Sequence, residues 1–474
     1  MPNLRILLMV CLAVSLSSLP AGAQTLVESD EFLKAHSALP RALTPAEAAE
    51  VEKLLARMSL KEKVGQMTQL EIGMISDGQD QQIRINPAKL RKAVVDYGVG
   101  SILNVKDEAL SIQHWHETLR QIQAAAAETR LKIPVLYGID TIHGANYVQG
   151  ATLFPQQAGM AATWNPERML EAARFAAAET RAAGIPWNFS PLGDVGRHPA
   201  WPRLYETFGE DPYLASVMGV AAVRGYEGTD ISSPSHVASC MKHYVGYSVP
   251  WTGHDRTPAL IPDAVMWEYL LPPFAAMARA GAHTVMVNSG SVNGIPGHVN
   301  RYLLTDVLRG RLGFTGVVVS DWEDIKKLVT IHRVAKDEKE ATRQAVMAGV
   351  DMSMVPSDLS FADLLLQLAE EGKVPVSRID EAVRRILILK RKLGLFDDPL
   401  RGLGASPVGS PEAQRAALDA ARESMTLLQN EKNLLPLAKS ARILVTGPTA
   451  DSLIPLNNGW TYTWQGDRPL LYPK

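Results

Sequence analysis

From residue 99 onward the chain alternates short β-branched, apolar runs with alanine-rich helical patterns. That alternation confines it to a parallel sheet covered by helices. The runs span 99–105, 133–140, 185–195, 237–243, 283–288, 317–321 and 350–355. Between them lie helical patterns over 111–130, 165–183, 262–280, 337–348 and 357–371. The second has Asn165 as cap, Pro166 as first helical residue and Gly184 as stop. Two capping boxes, Thr44-Pro45-Ala46-Glu47 and Ser59-Leu60-Lys61-Glu62, predict two helices between Pro45 and Leu70. The expected class is α/β. Seven strands over roughly 260 residues suit a (β/α)8 TIM-like barrel with one strand missed or irregular. An open doubly wound sheet is the alternative, but no glycine-rich phosphate loop follows the first strand.

Polar residues stand where the apolar runs stop: Asn104, Asp140, Asp194, Lys242 with His243, Asn288 and Asp321. In a barrel those ends converge on one mouth, where active sites sit. A polar pocket explains this coincidence better than separate accidents do.

Composition narrows the function. Apolar residues make up 46% of the 474 residues, enough for a large core. With 48 basic against 50 acidic residues, the chain has no excess charge to grip a phosphate backbone, which argues against nucleic acid. Residues 1–23 read as a secretory signal: Arg5, an apolar run over 6–19, and Ala21-Gly22-Ala23 as the cleavage site. A membrane anchor is the alternative, but Pro20 and Gly22 end the run early. A periplasmic or secreted protein is expected, with no membrane span after cleavage. Cys11 would leave with the signal, so Cys240 could form no internal disulfide. The expected divisions are a barrel over 24–396, a Gly/Pro/Ser-rich linker over 397–411, and the start of a second α/β domain over 412–474. That start comprises a helix over 412–430 and a strand over 442–447.

Asp321 ends the run Val317-Val318-Val319-Ser320 and precedes Trp322. A carboxylate there is desolvated unless something polar meets it, and an aromatic beside it offers an apolar platform for a sugar face. The competing role is a helix cap. Lys242 and His243 could donate to hydroxyls, or could be a surface lysine and a core histidine. Asp140, followed by His143-Gly144, could accept from two adjacent hydroxyls, or cap a helix. Arg203 suits diol recognition, or a salt bridge with Glu206 or Asp211. His254-Asp255 could relay protons, though adjacent residues need not touch and a solvent loop is favoured. Metal-ligand spacing, a phosphate loop and a Gly-x-Ser-x-Gly elbow are not found.

Tyr137-Gly138-Ile139-Asp140 with His143-Gly144, the stretch from Arg203 to Pro212, Lys242-His243-Tyr244 and Ser320-Asp321-Trp322 occur in the order seen in glycoside hydrolase family 3. Together they resemble its β-glucosidase-like, exo-acting members. Glu423 to Leu437 is similar to that family's entry into its second domain, an α/β sandwich. The resemblance implies a retaining mechanism with Asp321 as nucleophile. Asp140, Arg203, Lys242 and His243 would hold the terminal sugar, and Trp322 would form a pocket wall. It implies a small oligosaccharide or glycoside substrate and no cofactor. Aspartate at 140 resembles the glucosidase pattern, where it grips the far end of glucose, rather than the xylosidase pattern.

Two departures stand out. Many relatives carry a tyrosine beside the nucleophile where this chain has Ser289. Two-domain relatives place the acid/base glutamate deep in the second domain, and no residue here matches it, so the chain resembles the front part of a longer enzyme. A catalytically impaired sugar-binding fragment and a β-xylosidase-like relative are alternatives. So is a β-N-acetylglucosaminidase-like relative using His254-Asp255, although Lys242-His243-Tyr244-Val245-Gly246 departs from that loop pattern.

Overall fold

The computed structural model describes residues 31–472. Eight short strands run parallel in chain order: β1 Thr68–Glu71, β2 Ser101–Leu103, β3 Leu136–Ile139, β4 Trp187–Asn188, β5 Cys240–Tyr244, β6 Thr284–Val287, β7 Val317–Val319 and β8 Ser353–Met354. Ladders join β1 to β2, β2 to β3, β3 to β4, β5 to β6 and β6 to β7. Parallel bridges Trp187↔Ala238 and Leu192↔Lys242 carry the sheet from β4 to β5, and Val319↔Met352 carries it from β7 to β8. Pairing of Thr68 with Ser353 closes the circle. The fold is therefore a (β/α)8 barrel, as the alternation predicts.

The strand absent from the sequence expectation is β1. The helix expected to reach Leu70 stops at Gln66, and residues 68–71 turn into the barrel. Its signature was hidden because a barrel interior tolerates a satisfied polar pair: Gln69 Nε2 donates to Ser101 Oγ at 2.8 Å, both side chains buried. Gly138 in β3 is required by close packing, since a Cβ there would lie 2.4 Å from the Phe189 ring.

Outside the barrel the expected helices form with small shifts, among them Ile112–Ala127, Pro166–Ala182, Glu338–Ala348 and Ser360–Glu370, and a further helix spans Val376–Lys392. Both capping boxes close as predicted, with Thr44 and Ser59 accepting from the backbone of Glu47 and Glu62. The pattern over 262–280 is broken into Asp263–Val265, Met266–Leu270 and Pro272–Ala280, because Pro272 cannot continue the preceding hydrogen-bond ladder. The helical segment Tyr302–Arg311 was not expected.

Beneath the barrel, Asp351 is fully buried and joins three elements. It accepts from Arg309 at 2.7 Å, Arg378 at 2.8 Å and Arg385 at 3.0 Å, and from Val318 N at 3.0 Å. Burial pushes its carboxyl up, but the three guanidiniums outweigh that and hold it below the ordinary range. Its stabilisation is therefore present above the unfolded pKa and lost as pH falls through the lower folded value. Asp351→Ala leaves three partly buried cations without their shared anion. It is expected to cost about 3–5 kcal/mol, read as a lower urea midpoint at unchanged slope.

Beyond the barrel, residues 397–411 turn tightly against it: Gly404 N donates to Ala182 O and Gly409 N to Glu179 Oε1. The helix expected over 412–430 is Pro411–Glu423. It persists only where Ala413, Ala416 and Ala420 are buried, and Met425, Leu427 and Leu428 after it are exposed. The expected strand over 442–447 is not formed. A strand needs a hydrogen-bonding neighbour, and Ile443, Leu444 and Val445 lie exposed without one. The predicted signal over 1–23 lies outside the described residues. No described helix is long and apolar enough to cross a membrane.

Candidate active site

The C-terminal ends of the strands surround a cavity of about 280 Å³. That is near the low end for small-molecule sites, roughly 300–1,000 Å³. Asp140, Arg203, Lys242, His243, Asp321 and Trp322 all line it. The structure thus brings together these six residues, from three strand ends and one loop. A smaller cleft of about 140 Å³ opens at the opposite end of the barrel, beside Tyr97 and Arg130, away from these groups.

Asp321 follows β7 and is buried. Its Oδ1 accepts from Trp322 N at 2.6 Å and its Oδ2 from Ser289 Oγ at 2.6 Å. Its own N–H donates to His298 Nε2 at 3.1 Å. Burial pushes the carboxyl up, but Arg256, the Ser289 hydrogen bond and Arg203 outweigh it and hold Asp321 well below the ordinary range. The group is an ionised carboxylate across the working range of most enzymes.

His243 Nδ1 lies 2.8 Å from Asp194 Oδ2 and donates to it, which leaves Nε2 to accept from Arg203 Nη1 at 3.1 Å. Burial and the Arg203 charge keep this imidazole neutral, well below its usual pKa. Arg203 is held in turn by Glu206, through Nε at 2.7 Å and Nη2 at 2.8 Å. Arg203 thus makes the salt bridge with Glu206 and still faces the cavity. Asp211 instead caps the next helix by accepting from Tyr213 N and Leu214 N.

Lys242 Nζ donates to Asp140 Oδ1 at 2.6 Å, both residues buried. Burial pushes Asp140 up from the ordinary carboxylate range, and the Lys242 charge only partly offsets this. The two side chains form one neutralised unit with a donor and an acceptor facing the same space.

His254 and Asp255 are not a pair. His254 is exposed, whereas Asp255 Oδ1 accepts from Tyr247 OH at 2.6 Å and Trp201 Nε1 at 3.3 Å. Four contributors were missed. Arg256 lines the cavity, from the polar loop that drew attention for its neighbours. His298 accepts from the backbone N–H of Asp321. Trp460 and Trp464 form part of the wall. The strap carrying them is tied to the mouth by Gln156 donating to Asn457 O and Gly459 O, each at 2.9 Å, and by Ala109 N donating to Tyr462 O at 2.7 Å. His143 Nε2 sits 3.0 Å from Trp460 O. Two aromatics so far along the chain carry no local signal of such a place. Among the described residues no group of three or more His, Cys, Asp or Glu is arranged to hold a metal ion.

Fold and site define a (β/α)8 barrel with a carboxylate-centred polar mouth. The chain belongs to glycosyl hydrolase family 3, whose N-terminal domain matches residues 59–389. It is 47% identical to a lysosomal beta glucosidase of Dictyostelium discoideum, over 88% of this chain and 53% of that one. It is 35% identical to a periplasmic beta-glucosidase of Salmonella typhimurium, over 95% of this chain and 56% of that one. Among solved structures, an exo-1,3/1,4-beta-glucanase from a Pseudoalteromonas species superposes with a TM-score of 0.82 at 32% identity, covering 92% of this chain and 54% of that one. A beta-glucosidase from Listeria innocua in complex with glucose gives 0.78 at 33% identity, covering 88% and 57%. The chain spans about half the length of the curated relatives it matches.

Proposed function

We propose that this chain belongs to an exo-acting, retaining β-glucosidase that removes terminal, non-reducing β-D-glucosyl residues from oligosaccharides or glycosides. The observation that carries this reading is Asp321: an ionised carboxylate lining the pocket at the barrel mouth, held by donors on both oxygens. A retaining enzyme uses such a group to attack the anomeric carbon and form a covalent glycosyl-enzyme that water then hydrolyses. Asp140 and Lys242 offer an acceptor and a donor to neighbouring hydroxyls, and Arg203 and His243 line the side nearer the nucleophile. Trp322, Trp460 and Trp464 supply apolar faces for a sugar ring. A pocket this small suits one terminal sugar, hence exo action. No acid/base is assigned among the described residues. The barrel over 24–396, the connecting stretch over 397–411 and a further domain beginning at 412 are the proposed divisions. A periplasmic or secreted location is supported by the signal-like start and by the periplasmic relative.

Incubation with 2,4-dinitrophenyl 2-deoxy-2-fluoro-β-D-glucoside tests the reading, because its leaving group departs without protonation. One fluoroglucosyl unit is expected by intact mass, mapped to Asp321 and absent in Asp321→Asn. A folded protein that gains no such mass would overturn the retaining assignment.

A further inference from the structure

Asp321 is served by a hydroxyl whose direction is itself dictated. Ser289 Oγ lies 2.6 Å from Asp321 Oδ2, and Arg256 Nη1 lies 3.0 Å from the same Oγ. A guanidinium donates and cannot accept. The Ser289 oxygen therefore receives from Arg256, and its single proton is left for Asp321. Among the described hydrogen bonds and ion pairs, none joins Arg256 to Asp321 directly; the cation reaches the carboxylate through the serine.

The placement of Arg256 is built rather than incidental. Its backbone sits at φ 59°, in the left-handed region that a side-chain-bearing residue adopts at a cost. Its guanidinium lies between two carboxylates, 3.6 Å from Asp255 and 3.7 Å from Asp324, both beyond hydrogen-bond distance. Asp255 is fixed in turn by Tyr247 and Trp201. An arginine placed only to neutralise those acids would bond them directly. This one, which lines the cavity, instead makes its short contact with Ser289, the residue that bonds Asp321.

We propose that Arg256 and Ser289 form a positioning relay that orients the Asp321 carboxylate and assists its departure from the sugar, fulfilling by two residues the part for which the resemblance leads one to expect a tyrosine. The proposal rests on the reading of Asp321 as nucleophile. A hydrogen bond to a carboxylate is stronger when the charge is full than when the oxygen is esterified. The relay therefore favours the step in which the ester breaks and the charge returns, more than the step in which the charge is consumed.

The experiment isolates that second step. The 2-fluoroglucosyl adduct on Asp321 is formed, excess reagent is removed, and azide is added. Azide attacks the anomeric carbon, the bond from that carbon to the Asp321 oxygen breaks with its electron pair returning to the carboxylate, and fluoroglucosyl azide leaves, with no proton transfer needed. Ser289→Ala and Arg256→Ala are expected to slow this release roughly 10- to 100-fold, with a smaller change in adduct formation. Ser289→Thr, which keeps the hydroxyl, and added guanidine with Arg256→Ala are each expected to restore much of the rate, which a merely structural role would not produce. Thermal unfolding midpoints verify folding, and if Arg256→Ala does not fold, the Ser289→Ala and Ser289→Thr pair decides. Variants that release the sugar at the wild-type rate would overturn the relay while leaving the nucleophile in place. A wild-type protein that never labels at Asp321 would instead overturn the reading beneath it.

Discussion

Asp321→Gly is expected to abolish turnover of 2,4-dinitrophenyl β-D-glucoside, by roughly 10⁴- to 10⁶-fold in kcat. The reason lies in what the neighbours cannot do. Ser289 and Trp322 N donate to the carboxylate, and His243 and Arg203 already engage each other. None of them stands ready as a substitute nucleophile. Because this leaving group needs no acid, the loss reports on attack alone. Removing the side chain also opens a space on the face from which Asp321 would attack. Azide supplied there should restore turnover and yield the α-glucosyl azide, since a single displacement inverts the anomeric centre. Asp321→Asn, which keeps the shape but not the charge, should stay inactive without azide. Activity within tenfold of wild type in Asp321→Gly would assign the nucleophile elsewhere.

The second large effect is expected at the Asp140–Lys242 unit. Lys242 Nζ is buried, and Asp140 at 2.6 Å is the carboxylate that neutralises it. Asp140→Ala removes an acceptor for sugar hydroxyls and leaves the ammonium uncompensated inside the pocket. Two charge-assisted hydrogen bonds to hydroxyls correspond to a fall of about 10²- to 10⁴-fold in kcat/KM. If Asp140 grips the far end of glucose, including the hydroxymethyl group that xylose lacks, glucosides should suffer more than xylosides. The preference between the matched nitrophenyl glycosides should narrow by roughly tenfold or more. An unchanged ratio would show that Asp140 does not read that end of the sugar. Because burial holds the Asp140 carboxyl above its ordinary range, glucose binding should weaken on acidification at a pH above that expected of a free carboxylate, and this limb should vanish in Asp140→Asn.

The rim positions of these residues were legible in the sequence because a parallel barrel translates linear order into geometry. Each apolar run had to become a buried strand, and each polar residue closing a run had to arrive at the same rim. Asp140, Lys242, His243 and Asp321 were legible for that reason, with Trp322 following as the next residue. Arg203 was legible as a charged loop residue, though not that Glu206 fixes its fork while leaving one nitrogen for His243. β1 escaped notice because Gln69 and Ser101 satisfy each other within the barrel, and mutual satisfaction across 32 residues leaves no periodic trace.

Local order in this chain determined the strands, the helix caps at Thr44, Ser59 and Asn165, and the rim positions of the carboxylates, because period, capping chemistry and strand polarity act over a few residues. Only the tertiary structure decided which charges are neutralised, which proton each hydroxyl must give, and which distant segments wall the pocket. Asp321 is ionised because Arg256, Ser289 and Arg203 converge on it from other segments. The Ser289 proton points where it does because Arg256 occupies the other side. Trp460 reaches the mouth through a strap anchored more than 300 residues back along the chain, at His143 and Gln156. Such contacts depend on distances through space in a low-dielectric pocket, where a few ångströms set the balance between burial and charge.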